Sequence, residues 1–366
     1  MLSEELQSKV IDFLRFPLIV GVVFIHAYDS LYEGITPPRS LDMIFDEGVR
    51  NLFSQVIGRI SVPLFFLISG FLFFYRVDWS WSIYRKKLIS RIHTLLVPYV
   101  FWNSLVLLFF LFCILSPLGR SLGPNTFEHY SQYSFGDWLR GLWVDRGMGT
   151  DILGGPLAYQ FWFIRELMVM VVLSPLLYWL VLKLDWFIVV VSGIIWYWTD
   201  YHIEMLGLSV TSFFFFLSGA YFSIKQYSLM EKFGRLFLLS FVLYPFLALG
   251  DLFTKEYSWN IWIHRGGIVM GILFIFNLSV WLIRRRKIRI NTFLMGASFF
   301  VYAVHVPILL PFIRKMLYLF IHPENGWGLT LIYFLTVFFV VGIALLLYKF
   351  LKWGLPCFTN IITGGR

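Results

Sequence analysis

Ile11-Asp-Phe-Leu-Arg15-Phe-Pro-Leu-Ile-Val-Gly-Val-Val-Phe-Ile-His26-Ala-Tyr28 is one apolar run interrupted only by Asp12, Arg15 and His26. A helix of roughly 20 apolar residues crosses the hydrocarbon core of a bilayer, and runs of this kind recur as far as Phe350. Apolar residues make up 59% of the 366-residue chain and charged residues 14%, where a soluble domain carries about a quarter charged. The chain therefore reads as an all-α, polytopic protein whose main partner is the lipid bilayer. No linker or low-complexity stretch divides it, so residues 1–366 read as one membrane domain.

The net charge of +9 does not point to nucleic acid. Lys and Arg cluster in short loops between apolar runs, as cytoplasmic loops require, and no basic patch is interleaved with aromatics in the manner of a nucleic-acid surface. Cys113 and Cys357 sit in no metal-ligand or redox spacing, so no metal is expected. Residues 1–10 are polar and lack a cleavable signal pattern, so the first run is expected to remain as a span.

Spans are expected near 11–28, 60–75, 93–116, 158–182, 186–199, 206–224, 236–250, 262–283, 292–313 and 328–350. The loops alternate in charge. Those holding Lys9, Arg76 to Arg91, Lys183, Lys225 to Arg235, Arg284 to Arg289 and Lys349 to Arg366 carry 18 basic residues, against 10 in the opposite set, which includes Arg39, Arg50, Arg59 and Lys255. The excess marks the cytoplasmic face. Ten spans then place both termini inside. The long outer loop 117–157 holds Trp138, Leu139, Leu142 and Trp143 beside Asp137 and Arg140, a pattern suited to a short interfacial helix, a lid or plain loop. One echo is visible: Pro63 to Phe71 and Ser212 to Ala220 each contain a Ser-Gly step, Ser69-Gly70 and Ser218-Gly219, of the kind that lets helices approach closely.

Ionisable groups within spans are costly and mark candidate sites. Arg15 and His26 are eleven residues apart, about three turns, so they share a face within roughly 20° and are separated by about 16 Å along the axis. Such a stripe suits a long anionic ligand, its phosphate end near Arg15 and its reactive end near His26. The plainer alternatives are snorkelling or pairing with Asp12 for Arg15 and an interfacial hydrogen bond for His26. His305, one turn above Tyr302, is either a site residue or a packing histidine satisfied by a carbonyl. Arg165 is either a site residue or the partner of Glu166 or another helix. His26, His305 and Arg165 come from different spans but fall at one depth, in the outer half. Lys87 and Arg91, at the inner mouth of the third span, suit phosphate recognition or serve topology alone.

These residues resemble the membrane acyltransferase-3 family, whose members O-acylate sugars and other envelope molecules. The resemblance rests on five elements in order: Arg15 and His26 with ten residues between them; Val62 to Phe71, a Pro-Leu-Phe-Phe…Ser-Gly-Phe run; Lys87 and Arg91 leading to Pro98-Tyr99; Phe161 to Arg165; and Ser298, Phe299, Tyr302 and His305. Many members have a tighter Arg-x-x-Arg pair where Lys87 and Arg91 here stand four apart. The subgroup resembled modifies extracellular polysaccharides, including the intercellular-adhesion type.

What the resemblance implies is an acyl-CoA donor, usually acetyl-CoA, used from the cytoplasm of a bacterium at its inner membrane. The acceptor would be a glycan or other hydroxyl compound, with glycan-synthesis proteins as further partners. Arg15, Lys87 and Arg91 would hold CoA phosphates. His26 would act as general base, Arg165 would stabilise the oxyanion, and His305 and Tyr302 would position the acceptor or relay the proton. A transporter or flippase of a lipid-linked or polymeric sugar also fits polytopic helices with buried charges, as does a non-catalytic partner of a glycosyltransferase. Consumption of acetyl-CoA separates the first alternative, and indifference to loss of His26 marks the second.

Overall fold

The computed structural model describes residues 2–28, 40–116, 130–144, 155–199, 202–203, 206–285 and 288–365. In chain order the helices are α1 (Leu2–Ala27), α2 (Leu41–Phe74), α3 (Trp81–Leu115), α4 (Phe135–Gly141), α5 (Tyr159–Val172), α6 (Ser174–Leu184), α7 (Trp186–Trp198), α8 (Val210–Ile224), α9 (Leu229–Gly234), α10 (Phe237–Phe253), α11 (Asn260–Arg284), α12 (Thr292–Ile321), α13 (Gly326–Gly354) and α14 (Pro356–Thr363). Among the described residues the sole sheet is an antiparallel pair, β1 (His202–Ile203) and β2 (Leu208–Ser209). That pair is a small departure from the all-α expectation. The helices α1, α2, α3, α11, α12 and α13 are long and apolar enough to cross a membrane, α5 and α6 form a pair bent by 62°, and α7, α8 and α10 are shorter apolar helices.

Three expected boundaries need correction. The second span was expected at 60–75, but α2 begins at Leu41. Asp42, Asp46, Glu47 and Arg50 gave the stretch the look of a loop, yet three of these charges are matched locally. Arg50 Nη2 meets Asp46 Oδ2 at 2.7 Å, Thr330 Oγ1 donates to Asp46 Oδ1 at 2.9 Å, and the Gly326 N–H donates to Asp42 Oδ2 at 2.7 Å. The last contact satisfies an orphan donor at the start of α13, where a carboxylate is also favoured by the helix dipole. The third span, expected from 93, belongs to a helix that begins at Trp81, so the basic stretch around Lys87 and Arg91 is helical. The span expected at 158–182 breaks after Leu173. Pro175 cannot donate a backbone bond and crowds the carbonyl of Val171, which instead accepts from Ser174 Oγ at 2.7 Å.

The structure divides into two compact units. The first comprises residues 1–76 and 215–349, the second residues 77–214 and 350–366. In the first unit α1 is central, burying Leu14, Leu18, Val22 and Val23. Glycines set its closest approaches. The space a side chain on Gly58 would need is filled by Ile25 and the Gly21 carbonyl, and that on Gly21 by Ser61 Oγ. The two Ser-Gly steps noted in the sequence pack against each other: Gly70 lies on the backbone of Phe216, and Gly219 on the Leu67 carbonyl and the Phe71 N–H.

In the second unit Asn103 ties the chain together. Its Nδ2 donates to the Tyr99 carbonyl at 2.9 Å, and its Oδ1 accepts the Ala158 N–H at 3.1 Å. Trp102 Nε1 donates to the Ile362 carbonyl at 3.0 Å, docking α14. Within the loop 117–157, the short-helix alternative is realised by α4, which carries a Ser134–Asp137 capping box. Residues 117–129 and 145–154 of that loop lie outside the described residues.

Gly70→Ala and Gly219→Ala each force backbone apart. Each is expected to cost about 1–3 kcal/mol of stability, read as a lower unfolding temperature of the detergent-purified protein. Gly342→Ala, where nothing lies within reach of a new methyl group, serves as the control.

Candidate active site

The first unit brings together three of the residues singled out in the sequence. The His26 and His305 rings lie 5.1 Å apart between centroids, inclined by 52°, and Tyr302 stands 6.1 Å from His305. His305 is fully buried and Tyr302 nearly so, while His26 is partly exposed. The backbone explains the placement of His305. The regular helix Thr292–Val304 ends there and a π-helical turn, His305–Leu309, follows, with Val306 at non-helical angles. His305 Nδ1 lies 2.6 Å from the Tyr302 carbonyl. A carbonyl only accepts, so Nδ1 carries the hydrogen and neutral His305 presents Nε2 as a lone pair. That Nε2 is buried and makes no protein hydrogen bond among the described residues.

A second π-helical turn, Asn51–Ile57, lies in α2 beside the end of α1. Its Ser54 Oγ donates to the Phe24 carbonyl at 2.5 Å and lies 2.7 Å from the Tyr333 hydroxyl. The Phe24 carbonyl belongs to the last turn of α1, where no intrahelical donor remains, so Ser54 satisfies it two residues before His26. π-Turns of this kind are common at functional sites.

Sequence reasoning missed several neighbours of His26. Arg59, assigned to the outer loop, is part of α2. It donates to Gln55 Oε1 at 2.9 Å and lies within electrostatic reach of His26, Tyr28 and Lys255. The signal was available in the apolar residues Leu52, Val56 and Ile60, which continue the helical period upstream of Ser61. Tyr28 donates to Asn51 Oδ1 at 2.8 Å, the Lys255 ammonium donates to the same oxygen, and Lys255 stands 5.0 Å over the Tyr28 ring. Arg15, further along α1, meets Asp12 at 3.5 Å, both about one-third exposed. Its pairing option is thus realised.

The other three candidates belong to the second unit. Arg165 is buried. Its Nη1 donates to the Trp143 carbonyl at 2.6 Å, its guanidinium lies 5.8 Å from the Trp143 ring centre, and Gly207, at φ +60°, leaves the space its side chain fills. Glu166 accepts from Ser209 Oγ at 2.5 Å. Lys87 and Arg91, one turn apart on α3, are half-buried where Arg85 and Lys86 are exposed. A third π-helical turn, Ile92–Leu96, begins directly after Arg91. Ammonium and guanidinium groups are general partners of phosphate.

The paired histidines, the Ser-Gly-Phe turn of α2 and the basic stretch before Pro98 occur in the order of one pattern, and the family model for its acyltransferase domain matches residues 9–349. The chain belongs to the acyltransferase-3 family. It is an acyltransferase and a multi-pass membrane protein, and its family implies an acyl donor. The chain is also 24% identical to the succinoglycan biosynthesis protein ExoH of Rhizobium meliloti (strain 1021) over 372 residues, 98% of this chain and 92% of that protein. No solved structure matches.

Lys255 lies in the loop between α10 and α11. Burial pulls its ammonium down to about 8, Arg59 pushes the same way, and Asp251 and Glu47 oppose. A lysine that holds its proton less tightly when folded costs stability while charged. That cost is complete below about 8 and fades as pH rises toward the ordinary lysine range. Dimethylation with a ¹³C label, the signal assigned by Lys255→Arg, is expected to give a midpoint near 8. A midpoint in the ordinary lysine range would mean that the ammonium is solvated.

Proposed function

We propose that the protein moves an acyl group, acetyl first among candidates, from cytoplasmic acyl-CoA to a hydroxyl of an envelope or extracellular glycan, with His26 as general base. The observation that carries the proposal is the His26–His305 pair, with rings 5.1 Å apart and His305 Nδ1 held by the Tyr302 carbonyl. Family membership supplies the reaction class. The similarity to the Rhizobium succinoglycan biosynthesis protein favours a polysaccharide acceptor.

In the proposed step the acceptor hydroxyl attacks the thioester carbonyl carbon while His26 takes its proton. The tetrahedral intermediate collapses, the carbon–sulfur bond breaks, and the departing CoA thiolate takes the proton back from His26. His305, its Nε2 an acceptor, fixes the tautomer of His26 or passes the proton on, and Tyr302 fixes His305. The remaining roles rest on chemistry and the family pattern. Arg15, Lys87 and Arg91 bind CoA phosphates, and Arg165 stabilises the oxyanion. Arg59, an unassigned cation within electrostatic reach of His26, is a further candidate for that stabilisation.

The topology we propose has ten spans, with the bent α5–α6 pair counted once and α7, α8 and α10 as short crossings. Both termini then face the cytoplasm of a bacterial inner membrane. The family match covers residues 9–349, which supports one functional domain.

The test is CoA release by the detergent-purified protein given acetyl-CoA and a glycan stripped of its ester groups. His26→Ala is expected to lower turnover about a hundredfold or more with insertion and thermal stability retained, and His305→Ala to lower it less. Arg15→Ala is expected to raise the KM for acetyl-CoA. Full turnover in His26→Ala refutes the base assignment. A transporter or flippase of lipid-linked sugar would leave acetyl-CoA unconsumed in the wild type.

A further inference from the structure

The loop joining α10 and α11 is a built structure that the reaction scheme above leaves unused. Asp251, at the end of α10, is buried, yet both of its carboxylate oxygens are occupied. Oδ2 lies 2.7 Å from His264 Nδ1, and Oδ1 accepts from Asn260 Nδ2 at 3.0 Å. The same Asn260 amide also donates to the Asp251 carbonyl and to Thr254 Oγ1, each at 3.0 Å. One amide thus closes the turn from 251 to 260. Backbone bonds from Tyr257 to the Thr254 carbonyl and from Asn260 to the Tyr257 carbonyl, both 2.9 Å, complete it.

The turn displays Tyr257 and Trp259 stacked on each other, with centroids 5.4 Å apart and planes 22° apart, both about half exposed. His264 faces Asp251 through Nδ1, and its Nε2 makes no hydrogen bond among the described residues. Lys255 reaches Asn51 and Tyr28, and Tyr28 stands two residues beyond His26.

We propose that this turn is the acceptor subsite, taking a neutral, hydroxyl-rich glycan whose sugar rings lie on the Tyr257–Trp259 pair while His264 Nε2 and Lys255 hold ring hydroxyls. This rests on the acyl-transfer reading for its purpose, not for its binding chemistry. Aromatic faces offer the flat apolar surface that the C–H side of a pyranose covers. An imidazole nitrogen and an ammonium beside them provide hydrogen-bonding groups for hydroxyls, which both donate and accept. Charge decides against a polyanion. The cations Lys255 and Arg59 stand with the anions Asp251 and Glu47, and Glu256 lies in the same turn, so the patch has no excess of cations to hold a polyanion. Its connection through Lys255 and Tyr28 to His26 is what an acceptor bound for that base requires.

The test compares wild type with the Tyr257→Ala/Trp259→Ala double variant, both full-length in nanodiscs. The probe is the producing cell's own envelope polysaccharide, freed of esters by mild alkali and fluorescently labelled. Anisotropy without any donor is expected to show binding that weakens about tenfold in the double variant, the equivalent of about 1.4 kcal/mol. With acetyl-CoA present, the KM for glycan is expected to rise by a similar factor while the KM for acetyl-CoA stays at the wild-type value. His264→Gln is expected to weaken binding in the same assay without disturbing the aromatic pair. Unchanged glycan binding in the double variant overturns the proposal. So does the outcome in which the variant loses only bilayer anchoring or stability, because the two rings then serve as an interfacial aromatic belt. A wild type that binds glycan but consumes no acetyl-CoA sinks the acyl-transfer reading and leaves the subsite standing.

Discussion

The contact of Gly58 with Gly21 and Ile25 is the constraint on which the geometry of the first unit depends. No methyl group fits between these backbones, so α1 and α2 have one register. That register sets Ser54 under the last carbonyls of α1, Asn51 beside Tyr28, and Arg59 within electrostatic reach of His26. In lipid, apolar burial does not drive one helix against another, and close backbone approach with local hydrogen bonds takes its place. The Gly70 and Gly219 contacts repeat the device between α2 and α8. Small residues thus do in this unit what a large apolar core does in a soluble protein.

Departures from regular helix fall where the candidate residues are. The π-helical turns Asn51–Ile57, Ile92–Leu96 and His305–Leu309 lie beside the end of α1, directly after Arg91 and on His305 itself. An extra residue in a turn shifts the following side chains around the helix and frees a carbonyl from its usual partner. A bilayer tolerates such freed groups only where protein or a cavity satisfies them. The bond from His305 Nδ1 to the Tyr302 carbonyl is one such repair, and the same bond fixes the ring's tautomer.

Much of the helical scaffold was legible in the sequence because lipid burial writes itself as apolar length. His26 and His305 were legible as candidates for the complementary reason, since an imidazole in such a run stands out, but their shared depth with Arg165 did not say which of the three face each other. The extension of α2 was not legible. Asp46 and Arg50 look like solvated loop charges until their pairing with each other and with Thr330 is known, and that pairing spans almost the whole sequence. Lys255, Asn51 and Tyr28 were hidden likewise, because three unremarkable residues become a cluster only when α1, α2 and the α10–α11 turn converge. The break at Ser174-Pro175 was the most readable miss, since the proline was in plain view inside an assumed continuous span.

The two histidine arrangements of the first unit differ in a way that bears on the proposed chemistry. His264 is held by a buried carboxylate, whereas His305 is held by a neutral carbonyl. A carboxylate orients an imidazole and also stabilises its protonated form. A carbonyl orients it and adds no charge to an apolar interior, where an isolated ion is expensive. On the proposed reading the base must take a proton only transiently, because the departing thiolate reclaims it. A thioester is an activated donor with a good leaving group, so orientation is worth more here than a permanently strengthened base. A carbonyl-held histidine beside His26 meets that requirement. A carboxylate-held one, by contrast, is oriented whether or not it is protonated, which suits a hydroxyl that is bound and not cleaved.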